Sequence, residues 1–328
     1  MEIGYLTTQT SFVIPVQHDI KAVEALMRAQ ANGRHPDLGA ALDLILSAGG
    51  KRVRPALTLL TGRMLGSSSE RLIILAAAIE LLHTATLVHD DLIDGSLLRR
   101  GMPTLNSQWS PGATVLTGDF LFACAAKLAS DTNSIPVMSL FSKTLTVIVN
   151  GEITQLFTSR CRANREDYYQ RIYAKTASLF ETSAKAAALI GSADETTVEA
   201  LRAFGYNIGM AFQIVDDVLD FTGEQATLGK PVGSDLRQGL ITLPAICYLE
   251  THPENELTHK ILAGDCVEME EQVSQLIDAI RNSSAIRLAM QEAYEFVDRG
   301  LIELQSFPAG VERDSLQELA TFFLNREL

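Results

Sequence analysis

Two short runs in this chain repeat carboxylates at one-turn spacing: HDDLID, with Asp90, Asp91 and Asp94, and QIVDDVLD, with Asp216, Asp217 and Asp220. On a helix, residues four apart share a face, so Asp90 and Asp94 address one volume while Asp91 lies about 100° around the axis. The second run has the same geometry, with Gln213 about one turn before Asp216 and on its side. Like charges beside apolar residues repel one another and resist desolvation, and a bound cation relieves both effects. Aspartate is a hard oxygen donor, and Mg²⁺ is commonly held by one or two carboxylates, with water and substrate phosphate oxygens completing its shell. The stretch DDLIDGSLLRRG lacks the spaced oxygens and final Glu of a calcium-binding loop. A solvated acidic helix face remains the plain alternative for either run taken alone.

Basic residues flank the first run. GGKRVRP supplies Lys51, Arg52 and Arg54, and LLRRG supplies Arg99 and Arg100. In a chain of net charge −13, two such clusters beside aspartates suit a bound polyanion. Ordinary salt bridges would explain either cluster by itself; together with the paired acidic runs they favour a diphosphate.

These groups need rigid carriers, and the apolar periodicity supplies helices. HPDLGAALDLILSAGG has Leu38, Leu42 and Ile45 at helical spacing and a Gly49–Gly50 stop. KRVRPALTLLTGRML follows, with Pro55 suited to a first turn. The next stretch runs from Ser67 to Asp94 without Pro or Gly, and Ser67 and Glu70 have capping-box spacing, which predicts one long helix. Further helices are expected near 113–130, 135–158, 166–190 and 194–222, and βα alternation is missing. The expected fold is an all-α bundle formed by a single domain over residues 1–328.

Composition sets the outer limits. Hydrophobic residues make up 47% and charged residues 20%, which describes an ordered, core-rich protein. The acidic balance argues against nucleic-acid and anionic-membrane partners. Cys124, Cys161, Cys247 and Cys266 form no CxxC pair and are expected as free thiols in a reducing cytoplasm. The longest apolar stretch, LIILAAAIELLHTATLV, is interrupted by Glu80 and His83, so no membrane span is expected.

With GGKRVRP, HDDLIDGSLLRRG, KTASLF, GMAFQIVDDVLDF and GKPVGSDLRQG in this order, the chain resembles the trans-isoprenyl diphosphate synthases, most clearly over residues 35–245. The resemblance implies a helical isoprenoid-synthase bundle around a central cavity, usually homodimeric, that condenses an allylic diphosphate with isopentenyl diphosphate. It implies three Mg²⁺ ions, with Asp90, Asp91, Asp94, Asp216, Asp217 and Asp220 as the metal-binding set. Arg99, Lys175, Thr176, Gln213 and Lys230 would surround the allylic diphosphate, and Lys51, Arg54, His83 and Arg100 the isopentenyl diphosphate. His89 is expected to orient the aspartates rather than act as a base. Arg237 stands where the family often has Lys, so it stays outside this set.

Product length is the finer expectation. Ala85 and Thr86 lie just over one turn before Asp90, where short-chain members often carry a large aromatic. Leu82 and Ile79 continue an apolar wall, and Phe141 is a candidate floor. A long all-trans product follows, of about 30–50 carbons by the resemblance, with hydrocarbon burial as its driving force. A shorter-chain geranylgeranyl or farnesyl diphosphate synthase, a noncatalytic subunit of a heteromeric synthase and a prenyl-diphosphate-binding protein are the alternatives. A sesquiterpene-type cyclase fits less well, because its second metal motif is not usually another DDxxD.

Overall fold

The computed structural model describes residues 11–47, 49–99, 101–157, 163–223, 231–262 and 270–325. Arg100, Lys230, Cys161 and Cys266 lie outside the described residues. The fold is all-α. After a 3₁₀ turn at Ser11–Val16 come α1 (Gln17–Ala29), α2 (Pro36–Ser47), α3 (Val53–Met64) and α4 (Ser69–Ile93). A two-residue hairpin, β1 (Leu98–Arg99) and β2 (Met102–Pro103), leads to α5 (Leu105–Gln108), α6 (Pro111–Asp131) and α7 (Ile135–Phe157). Then follow α8 (Arg165–Ile172), a π-helical turn (Tyr173–Ala177), α9 (Ser178–Ile190) and α10 (Glu195–Thr222). The rest comprises α11 (Ser234–Arg237), α12 (Leu243–Thr251), α13 (Glu256–Leu262), α14 (Glu270–Arg281), α15 (Ala285–Leu304) and α16 (Val311–Leu324).

The chain groups into two compact units assembled from interleaved stretches. The first contains Met1–Phe141, Ser183–Leu201 and Leu304–Leu319. Its centre is α4, where Leu72, Leu75, Ala76, Ala77, Ala78, Leu81 and Leu82 are buried against α1, α3 and α6. Gly62 lets α3 come close, since a Cβ there would stand 2.1 Å from a Leu72 methyl. Although α4 and α6 are long and apolar enough to cross a membrane, 67% of the α4 window is buried inside the protein, as befits a core helix.

The expected capping box at Ser67 is not formed. Helix α3 closes with Gly66 at φ +72°, Gly66 N donating to Arg63 O and Ser67 N donating to Gly62 O. That closure takes Ser67 out of the cap position, so Ser68 precedes α4 and the Ser67 hydroxyl is left buried with no hydrogen-bond partner among the described residues.

The second unit contains Ser142–Thr182, Arg202–Glu303 and Ala320–Leu328. Its centre is α10, with Phe204, Ile208, Met210, Ala211, Ile214, Val215, Val218 and Phe221 fully buried. Gly209 lets this helix pack on the π turn, because a Cβ would stand 2.6 Å from the Ala177 Cα. Arg165 ties α8 to α12 and α15 through Glu250, at 2.6 Å, and Glu292. The expected unbroken helix over 166–190 is interrupted by the π turn, a local widening that periodicity does not reveal.

Candidate active site

The first acidic run closes α4, with Asp94 as its C-cap. Carboxylates here face the negative end of the helix dipole, which adds to their mutual repulsion. Asp91 is buried, and Arg99 on β1 grips it: Nε lies 3.1 and 3.0 Å from the two carboxylate oxygens, and a terminal nitrogen 2.8 Å from one. The connecting loop is fastened by Ser96 N to Asp91 O at 2.8 Å and by the Thr104 hydroxyl to Ser96 O at 2.7 Å. Asp91 is thus neutralised locally, while Asp90 is half-buried and Asp94 exposed one turn later.

His89 anchors the same turn to α6. Its Nε2 is 3.2 Å from Val115 O and 3.5 Å from an Asp119 oxygen, and its ring lies 5.1 Å from Phe122. The ring occupies the place of a side chain at Gly118, where a Cβ would be 2.2 Å from Nε2.

The three cations of GGKRVRP divide their work. Arg52 adopts φ +48° and turns its guanidinium to Glu24 at 2.7 Å, Glu80 at 3.2 Å and Leu46 O at 3.1 Å, a structural network. Lys51 is exposed and Arg54 half-buried. Along α4, His83 and Thr86 are half-buried, seven and four residues before Asp90 and therefore on its side, and the Thr86 hydroxyl donates to His83 O. Ile79, Leu82 and Ala85 are buried on the preceding turns, and Phe141 on α7 is buried as well.

The second run lies inside α10, one turn before its end. Asp216 is half-buried, while Asp217 and Asp220 are buried. Asp217 accepts the Tyr168 hydroxyl on one oxygen and Gln213 Nε2 on the other, both at 2.8 Å. Gln213 Oε1 in turn accepts the Thr176 hydroxyl at 2.7 Å. Burial, and then the neighbouring Asp235 carboxylate, push the Asp217 pKa up, against the pull of its two donors. Burial and Asp217 likewise raise the Tyr168 phenol well above its ordinary range, so it remains a donor. Asp220 accepts Asp235 N on its side chain at 3.1 Å and Gly233 N on its carbonyl at 2.8 Å, fixing the segment after 231.

Lys175 and Thr176 sit in the π turn, with Lys175 Nζ 3.0 Å from a Glu152 oxygen on α7. Such widened turns recur at functional sites. Arg237 is engaged away from these groups, by Val232 O, Glu270 and Ser274. The sequence signals reached Gln213 and Thr176 but missed Tyr168, Glu152 and Asp235. Tyr168 is 49 residues from its partner Asp217, and no local pattern joins them.

Each acidic run therefore combines accessible carboxylate with an inner Asp held by its own partners. Among the described residues no three His, Cys, Asp or Glu side chains form a closed metal cage. Such a donor set fits a hard cation that keeps water and phosphate oxygens in its shell.

The polyprenyl synthetase family pattern matches residues 35–280, a stretch containing both runs. An all-trans-nonaprenyl-diphosphate synthase (geranyl-diphosphate specific) from Rhodobacter capsulatus is 36% identical, over 95% of this chain and 96% of its own. Heptaprenyl diphosphate synthase component 2 from Bacillus subtilis is 34% identical, over 94% and 88%. Among solved structures, a polyprenyl synthase from Caulobacter crescentus complexed with calcium and isoprenyl diphosphate superposes with a TM-score of 0.89 at 35% identity, covering 96% of this chain and 97% of that one. With relatives of this kind spanning nearly its whole length, and both carboxylate runs inside the matched stretch, the chain belongs to the polyprenyl synthetase family and is a prenyltransferase.

Proposed function

We propose that the chain condenses isopentenyl diphosphate head-to-tail with allylic diphosphates, in a Mg²⁺-dependent reaction that ends at an all-trans polyprenyl diphosphate of about 30–50 carbons. The observation that carries this reading is the polarity of α4: the accessible Asp90 and Asp94 terminate it, and Thr86, Ala85, Leu82 and Ile79 form the turns just before them. One end of such a site suits a metal-bound diphosphate, and the adjoining end suits hydrocarbon.

In this proposal Asp90 and Asp94 hold two Mg²⁺ ions and Asp216 a third, with Asp91, Asp217 and Asp220 supporting them. Bound Mg²⁺ supplies charge stabilisation for the departing diphosphate. Arg99, Lys175 and Lys230 surround the allylic diphosphate and help to neutralise the charge that grows as its C–O bond breaks, with Gln213 as a neutral donor held in place by Thr176. Lys51, Arg54, His83 and Arg100 hold isopentenyl diphosphate so that its double bond meets the allylic cation. The departing diphosphate accepts the final proton. His89 is committed to Val115 O and Asp119, so it serves as a brace.

A homodimer accompanies this reading. On α7, Val149, Ile153, Leu156 and Phe157 are exposed at spacings of four, three and one, forming an apolar stripe that a second copy would cover. Buried Cys124 and Cys247 are free thiols, which suits the proposed cytoplasmic location. The Bacillus subtilis relative is a heptaprenyl diphosphate synthase component 2, which motivates a second reading in which the chain is one subunit of a heteromeric synthase.

The test is product analysis by mass spectrometry with farnesyl and isopentenyl diphosphates and Mg²⁺, alongside light scattering. The wild type is expected to run as a dimer and to form long products, and Ala85→Tyr to form shorter ones. Products ending at about 15–20 carbons defeat the long-chain assignment. A chain inactive until a second polypeptide is added favours the subunit reading.

A further inference from the structure

We infer that Tyr168 is a positioning residue for the allylic diphosphate: acting through Asp217 and Gln213, its hydroxyl fixes the direction in which Gln213 and Thr176 present their polar atoms. The inference rests on the proposed function and extends it to a residue that the acidic motif does not contain.

The hydrogen bonds form a directed series. A glutamine amide is nearly symmetric in shape, so its two faces are distinguished by their neighbours. Asp217 takes Tyr168 O–H on one oxygen and Gln213 Nε2 on the other, both at 2.8 Å. Only with Nε2 toward Asp217 does Oε1 face Thr176, whose hydroxyl donates at 2.7 Å. The Thr176 proton is then committed to Gln213, and the second N–H of Gln213 stays available among the described residues. An amide N–H is the kind of donor a diphosphate oxygen requires. Lys175, on the same π turn, is placed by Glu152 at 3.0 Å.

Tyr168 is the rigid end of this series. Its side chain is 1% exposed. Helix α8, which carries it, is capped by the Asn164 side chain accepting Glu166 N at 2.8 Å and Asp167 N at 3.1 Å, and is tied down by Arg165 to Glu250. Packing alone would be served as well by phenylalanine, so the hydroxyl is explained by Asp217. Without it, one oxygen of a buried carboxylate loses its partner, and the carboxylate is free to turn and compete for both amide hydrogens of Gln213. The amide orientation, and with it Thr176, is then no longer fixed.

The test compares wild type, Tyr168→Phe, Thr176→Val and the double variant. It measures calorimetric affinity for a non-ionising thio analogue of farnesyl diphosphate with Mg²⁺, and KM for each substrate. Tyr168→Phe is expected to weaken analogue binding and raise the allylic KM by about tenfold, leaving the isopentenyl KM within about twofold. The double variant should be no worse than Thr176→Val, because both changes break one series. Unchanged analogue affinity, additive losses, or an equal rise in the isopentenyl KM would each overturn the inference. Should Tyr168→Phe fail to fold, Asp217→Asn, of the same shape, must give the same allylic-selective, non-additive loss; an unselective loss overturns the inference. A wild type that neither binds the analogue nor forms product overturns the proposed function as well. A fully active wild type matched by Tyr168→Phe overturns only the role of Tyr168.

Discussion

The two acidic runs share a spacing but not an environment. At the end of α4 the inner Asp91 is answered by a full cation, Arg99, and the outermost carboxylate, Asp94, is open to solvent. Within α10 the inner Asp217 is answered by neutral donors, Tyr168 and Gln213, and the outermost Asp220 is buried and braces the segment after 231 through Gly233 N and Asp235 N. One motif can thus be an exposed clamp beside a hairpin or a buried hub. What the two retain in common is a half-buried first carboxylate, Asp90 or Asp216.

The largest expected effect falls on that shared feature. Asp90→Ala and Asp216→Ala should each lower condensation turnover by at least about 10³-fold while leaving far-ultraviolet circular dichroism intact. Chelation with EDTA should have the same outcome in the wild type and be reversed by Mg²⁺. Near-normal turnover in one variant but not the other would show that only one run serves the reaction, and would end the proposed equivalence of Asp90 and Asp216.

A smaller effect separates the inner residues. Removing the guanidinium in Arg99→Ala leaves the buried Asp91 carboxylate with no other ion-pair partner among the described residues. Because the Arg99 side chain is 37% exposed, the loss should be about 1–2 kcal/mol rather than that of a fully buried pair. Urea unfolding should show this gap at low ionic strength and a narrower gap in 1 M salt, since screening weakens the pair. The destabilisation in Tyr168→Phe, a loss of neutral hydrogen bonding, should be nearly independent of salt. A salt-insensitive Arg99→Ala gap would remove the electrostatic distinction between the two regions.

The carrier helices were legible because their signals are local. Leu38, Leu42 and Ile45 mark α2, and the absence of Pro and Gly from Ser69 to Ile93 marks α4. One-turn spacing likewise exposed both acidic runs, and the basic clusters pointed to an anion. What stayed hidden depends on distant partners or on backbone geometry. Nothing near Arg52 distinguishes it from Lys51 and Arg54 until Glu24 and Glu80 are brought to it. The π turn carries ordinary helix-compatible residues, YAKTA, and its widening is set by the tertiary setting. The hairpin is too short for alternation to show, and it is held by Asp91, Ser96 and Thr104 rather than by strand propensity.

The smallest expected effect concerns how each region's carrier helix begins. Ser67 has the spacing of a cap for α4, yet its backbone N–H is spent on Gly62 O in closing α3, and its buried hydroxyl makes no hydrogen bond among the described residues. Asn164 stands before α8, the carrier of Tyr168, and its side chain accepts two backbone N–H groups. Asn164→Ala should therefore cost about 1 kcal/mol, the usual worth of an N-cap. Ser67→Ala should lie within about 0.5 kcal/mol of wild type, because the removed hydroxyl satisfied no donor and was itself desolvated without return. Equilibrium urea denaturation of both variants decides the matter. A loss of about 1 kcal/mol in Ser67→Ala would mean that the hydroxyl does cap α4 in solution. The first acidic run would then hang from a helix pinned at both ends, by Ser67 at its start and by His89 against Gly118 at its finish. If Ser67→Ala is neutral, the anchoring of that run comes from the His89 end and from Arg99, whereas the second run is steadied from α8, a separate helix with its own cap.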